Sequence, residues 1–257
     1  LSQFTAAEGQ PVRTQQTSAP LFNSAAAFAV SDNIRNYSVP ATHFGDQPPK
    51  LKTGLPIPTP GSPETGKRDD DGSIARFSAL PMPPASLTFS GLSNFDNITA
   101  FNLVIIPPDV NGDVGPNHYV QIVNTLFRVF DKNGGALGPP IPLSTLFAPL
   151  NTVCSTRNDG LPVVLYDPLA DRWIISQYCQ AFPPFRQMIA VSKTGDPTGS
   201  YYTYEFAMPN VRINDFSKFG VWPDGYYMST EEFIGSDYAG TGMFAFDREK
   251  MLSGDPT

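Results

Sequence analysis

"LYDPLADRWIISQY", from Leu165 to Tyr178, decides the fold. A turn containing Pro168 leads into an aromatic residue and then into a short strand-forming run rich in β-branched side chains. The same grammar occurs on both sides of it. Upstream stands "VGPNHYVQIVN" (Val114 to Asn124), and downstream stands "GVWPDGYYMST" (Gly220 to Thr230). Each is followed by a second apolar strand that ends in a polar turn with Gly: "FRVFDKNGGALG", "MIAVSKTGDPTGSY" and "MFAFDREKMLSGDP". Pro116, Pro168 and Pro223 thus mark equivalent turns in three successive units, and a self-similar all-β unit of this length is the signature of a propeller blade.

The expected fold class is therefore all-β, with β-propeller-like repeats, about three blades and an incomplete ring. A thin antiparallel sheet cannot shield both faces alone, so consecutive sheets must stack on their apolar side chains. Trp173, Tyr178, Trp222, Tyr226, Tyr227, Phe244 and Phe246 are the expected filler between them. A closed ring needs four or more blades, so further blades of the same protein or a protein partner are expected to complete it. The ending "MLSGDPT" falls in a turn, as processing would leave it.

Composition agrees with many short segments. The chain has 257 residues, with 27 Pro, 21 Gly and only 16% charged residues. Residues 1–80 have little periodicity, and "GDQPPKLKTGLPIPTPGSPETGKRDDDGS" is too polar and Pro-rich to form a core of its own. An extended N-terminal arm over 1–80 and a partial propeller over 81–257 follow. Within the arm, "PLFNSAAAFAV" (Pro20 to Val30) can form a helical turn or dock as a strand on a partner.

A net charge of -7 with no Lys/Arg cluster disfavours nucleic acid. The longest apolar run, "FNLVIIPP" (Phe101 to Pro108), has strand length and predicts no membrane span. The opening "LSQFTAAEGQ" carries neither an initiator Met nor a signal-peptide pattern, so a processed start is expected. Cys154 and Cys179 each adjoin an expected strand. If they pair, the closed loop of about 26 residues contributes on the order of 3.5 kcal/mol in the chain-entropy model, and an oxidising, extracellular or cell-surface setting follows; two buried free thiols are the alternative.

One motif raises a metal question. In "DVNGDVGPNHYVQIVN", Asp109, Asn111, Asp113 and Asn117, with the carbonyl of Gly115, could direct several oxygens at one Ca2+. The pattern is not an EF-hand, because Val114 and Val120 stand where Gly and Glu belong. It resembles the calcium loops of FG-GAP-type propeller blades, as in integrin-like heads. Val114 in place of Gly and Asn117 in place of the last Asp depart from that pattern. The other reading of the stretch is two turns closed by Asp and Asn side chains.

The wider pattern, "PPDVNGDVGPNHYVQIVN", "GLPVVLYDPLADRWIISQY" and "FGVWPDGYYMST", resembles a group of large secreted bacterial proteins with a predicted propeller region. That resemblance spans roughly Pro107 to Thr257. It implies a propeller fold and an extracellular setting, and it transfers no catalytic residue.

The expected function is a secreted or cell-surface binding or assembly module, stiffened by Ca2+ and a disulfide. The alternative is a carbohydrate-active propeller hydrolase of sialidase or glycosidase type. Its carboxylates would come from Asp167, Asp171, Asp224, Glu231 and Glu232, although Asp167 and Asp224 lie in repeated turns and suit a structural role better. Only two His are present, His43 and His118, and no nucleophile elbow or phosphate-binding loop occurs, so zinc and triad chemistry are not expected. The sequons at Asn36 and Asn97 are expected to be chance occurrences.

Overall fold

The computed structural model describes residues 21–40, 47–53, 84–209 and 211–256. Its elements in chain order are β1 (Ala27–Val30), β2 (Lys50–Thr53), α1 (Asn94–Phe101), β3 (Leu103–Ile106), β4 (Asn111–Val114), β5 (His118–Val123), β6 (Leu126–Asp131) and β7 (Ile141–Pro142). Then follow α2 (Leu143–Phe147), β8 (Val163–Asp167), β9 (Arg172–Cys179), β10 (Arg186–Ser192), β11 (Tyr201–Ala207), β12 (Ile213–Trp222), β13 (Gly225–Ile234), β14 (Asp237–Asp247) and α3 (Arg248–Ser253).

These strands make three antiparallel sheets in chain order and one short parallel pair, β2–β3. The first sheet has the order β4-β5-β6-β7, the second β1-β11-β10-β9-β8 and the third β12-β13-β14. The chain is thus mostly β, in several antiparallel sheets. Each aligned Pro turn joins the first two strands of one sheet: Pro116 between β4 and β5, Pro168 between β8 and β9, Pro223 between β12 and β13.

Side-chain alternation explains how the sheets stack. Along β9, Trp173 and Ile175 join Val120, Ile122, Phe127 and Val129 of the first sheet in one core. Ile174, pointing the other way, joins Tyr226, Met228 and Phe246 of the third sheet in another. The second sheet is therefore buried on both faces, which is why "WII" (Trp173 to Ile175) is apolar without a break. Burying each such side chain stabilises by roughly 1.5–3 kcal/mol. The disulfide Cys154–Cys179 forms, with an S–S distance of 2.10 Å and Cα atoms 5.8 Å apart, and ties the loop after α2 to β9.

Within residues 1–80, the described part of the arm is docked on its own chain. β1 pairs antiparallel with β11, matching Ala27 to Glu205 and Val30 to Tyr202. Ile34 is buried in the core shared by the first two sheets, and Arg35 pairs with Asp196. The strand-forming piece seen in "AAAFAV" thus covers the edge of the second sheet. The remainder of the arm, with His43 and most of its Pro-rich stretch, lies outside the described residues.

Two expected fillers are not fillers. Trp222 and Tyr227 are 67% and 44% exposed, because their strand positions point away from the second sheet. α3 arises where a polar turn was expected, and α1 and α2 are further helices. Ser93 caps α1 in a capping box with Asp96, and Asp247 caps α3, which Gly254 ends at φ 77°. Asn97, the sequon residue, is fully buried inside α1, where its carbonyl oxygen accepts from the Thr125 hydroxyl at 2.9 Å; the folded chain hides it from glycosylation.

Candidate functional site

The first strands of the three sheets lie side by side, β4 next to β8 and β8 next to β12. Because β8 is the edge of its sheet, alternate backbone N–H groups face β4 without a strand partner. Side chains satisfy them. Asn111 Oδ1 accepts from Val164 N–H at 2.6 Å, and Asp113 Oδ2 accepts from Tyr166 N–H at 2.7 Å. Two acidic or amide side chains on one face of β4 thus act as a substitute strand for β8.

That use bears on the calcium reading. The two N–H donors belong to residues two apart in a strand, so they are about 7 Å apart, and their acceptors are drawn apart with them. Calcium ligands bound at 2.3–2.6 Å lie no more than about 5 Å from one another. The carbonyl of Gly115 takes the Lys132 ammonium at 2.9 Å, the other oxygen of Asp113 accepts from Val114 N–H, and Asn117 is exposed past the turn. Asp109 interacts electrostatically with Asp215 and Lys218, and no group of three or more His, Cys, Asp or Glu suited to a metal is found among the described residues. Asn111, Asp113 and the Gly115 carbonyl are thus each taken up by a protein hydrogen-bond donor.

Asp109 stands at φ 42° just before β4 and interacts electrostatically with Asp215 of β12. Burial pushes the Asp109 carboxyl above its ordinary range, and the Asp215 carboxylate adds to this, while Lys218 opposes it. Asp215 is raised too, chiefly by burial, with Glu231 adding and the Phe216 N–H opposing. Tyr178 is held well above its usual value by burial first and then by Asp159 and Asp215. Two half-buried carboxyls, one just before β4 and one on β12, thus interact electrostatically.

The carboxylates expected for hydrolysis have other partners. Asp167 is fully buried; it caps its own turn by accepting from Leu169 and Ala170 N–H, and it receives Arg248 through Nε at 2.7 Å and Nη2 at 3.2 Å. The Tyr226 hydroxyl donates to the same carboxylate at 2.9 Å, and burial together with that carboxylate raises the phenol. Asp171 accepts from the Tyr166 hydroxyl, Asp224 from the Tyr227 hydroxyl, and Glu232 pairs with Arg212. Arg172 donates to the carbonyls of Ala170 and Asp171 rather than to a carboxylate. Glu231 lies opposite Asp215 across β12 and β13, away from the Pro turns. The five do not gather at one place.

The most conspicuous surface is the outer face of the third sheet. Trp222, Tyr227, Ala245 and Met243 share it, with Met243 80% exposed. Lys218 lies on the same side, its ammonium 3.7 Å from the centre of the exposed Phe216 ring. Trp222 and Tyr227 were expected as buried filler, and only their position at the end of the stack makes them surface. Compared with known protein families, with curated proteins and with solved structures, the chain matches none.

Proposed function

We propose that the chain is a secreted or cell-surface assembly module, built as a propeller-like stack, whose third sheet docks a further antiparallel sheet through its outer face. The observation that carries this is the apolar, uncovered face bearing Trp222, Tyr227 and Met243. Isolated apolar residues on a surface mean little, but neighbours on one sheet face mark an interaction surface. Support comes from the two internal junctions, where an apolar sheet face meets another of its kind, and from the adjacent first strands β4, β8 and β12. The disulfide accords with the extracellular setting. In this reading the partner is a further sheet of the same protein or of a protein neighbour, and Asn111 and Asp113 are a structural bridge.

Trp222 provides the test, since the other Trp, Trp173, is fully buried. Raising the chain concentration should shift the emission of Trp222 to shorter wavelength together with an increase in sedimenting mass, and Met243→Lys should abolish both. A chain that stays monomeric with solvent-type emission across the micromolar to millimolar range would overturn docking on a second copy of the chain. The hydrolase reading draws support from one observation, the raised carboxyls of Asp109 and Asp215. Polysaccharide cleavage lost on Asp215→Asn would establish it instead.

A further inference from the structure

Between the second and third sheets runs a seam of buried polar side chains. It consists of Ser176 on β9, Gln187 on β10, Asn214 and Ser217 on β12, and Thr230 on β13, each no more than 3% exposed. One bond crosses it: Asn214 Nδ2 donates to Gln187 Oε1 at 2.7 Å. The remaining atoms, Ser176 Oγ, Gln187 Nε2, Asn214 Oδ1, Ser217 Oγ and Thr230 Oγ1, have no partner in the protein. They are contiguous by register. Ser176 is opposite Ile189, two residues from Gln187; Asn214 is opposite Glu232, two residues from Thr230. Ser217 sits in the β12 irregularity between Asp215 and Lys218. Gly242 lets Thr230 and Glu232 pack closely there, since a Cβ on it would lie 2.6 Å from both Thr230 Oγ1 and Glu232 Oε1.

We propose that this seam is a binding site for ordered internal water, bridging the second and third sheets. A buried polar atom without a partner is costly, and five in one place call for a ligand. The donor set identifies its class. Three hydroxyls both donate and accept, and one amide N–H2 faces one amide oxygen, so the site offers donors and acceptors in balance. Exchanging O and N on both amides leaves that balance unchanged. All of these groups are neutral, so an ion buried here would lack an opposite charge, whereas water both donates and accepts and makes two to four such bonds when buried. The Arg212–Glu232 pair closes one side of the seam, and the apolar cluster of Ile174, Ile189 and Met228 closes another. The inference does not depend on what docks on the third sheet's outer face.

The test turns on a sign. If water bridges the seam, Thr230→Val and Ser176→Ala each remove one of its anchors and lower Tm by about 2–4 °C. If the hydroxyls are unpaired, the same changes relieve a buried polar atom, and Tm stays level or rises. Relaxation dispersion of the water oxygen nucleus gives a second readout on the native chain. It should show long-lived internal water, with a signal that falls in Thr230→Val. A level or raised Tm in both variants, or a native signal that Thr230→Val leaves unchanged, would overturn the proposal.

Discussion

The two ends of the sheet stack are built from the same kind of strand and finished differently. At the outer face of the first sheet, Phe89 lies edge-on to Tyr119 and tilted against Phe130, with centroids 6.2 and 5.2 Å away. Gln121 accepts from Leu92 N–H at 2.7 Å, and Val123 and Leu126 pack beneath Ala100 and Phe101 of α1. A single segment of chain thus seals that face. At the outer face of the third sheet nothing among the described residues does the same, and Trp222, Tyr227 and Met243 meet solvent. Alternation makes a face apolar, but whether that face becomes core depends on what arrives to cover it.

The link that holds the open end on should be the most sensitive point. Asp167→Ala leaves the Arg248 guanidinium without its carboxylate beside the third sheet, and removing one member of a buried pair costs about 3–5 kcal/mol. Urea unfolding should show that loss, and a change under about 1 kcal/mol would mean that packing alone holds the third sheet. Phe89→Ala strips the sealed end. A buried Phe costs about 3–5 kcal/mol on truncation, and Phe89 is partly exposed, so about 1–2 kcal/mol is expected by the same measurement. The smallest effect belongs to the open face itself. Met243→Ser should change stability by no more than about 0.5 kcal/mol, as substitutions at exposed sites do. A larger loss would show that Met243 is covered in solution, and the contrast between the ends would disappear.

The junctions also differ in chemistry. Between the first and second sheets the first strands are joined by Asn111 and Asp113 reaching backbone N–H groups. Between the second and third, the link is an ion pair with a phenol. The position equivalent to Asp167, immediately before the Pro of the next turn, is Gly115 in the first repeat and Trp222 in the third. Gly115 is required by close packing, since a Cβ there would come within 2.9 Å of the Trp173 ring. Aligned turns therefore keep their backbone role while their side chains take on separate contacts.

Much of the site was hidden in the sequence for physical reasons. Asp109, Asn111 and Asp113 stood out, yet their spacing could not show that two of them would meet a neighbouring strand while the third would interact electrostatically with Asp215. Asp215 and Asn214 lie in "VRINDFSKFG", where the β12 irregularity breaks alternation and hides which side each faces. Arg248 gave no sign that it belonged with Asp167, because 81 residues separate them. The start of α1 was legible and was missed. Ser93 followed by Asp96 is a helix-start pattern, but the apolar run beyond it draws the eye to a strand.

By itself, the sequence determined local matters: strands from alternation, hairpins from Pro, Gly, Asp and Asn, and the repeat from their recurrence. Those follow from backbone sterics and from side-chain period, which act over a few residues. The tertiary structure alone decided that β1 covers β11, that Phe89 seals one end and that Trp222 stays open at the other. These depend on which distant segments meet, and no local preference encodes a meeting that is settled by the burial of both surfaces together.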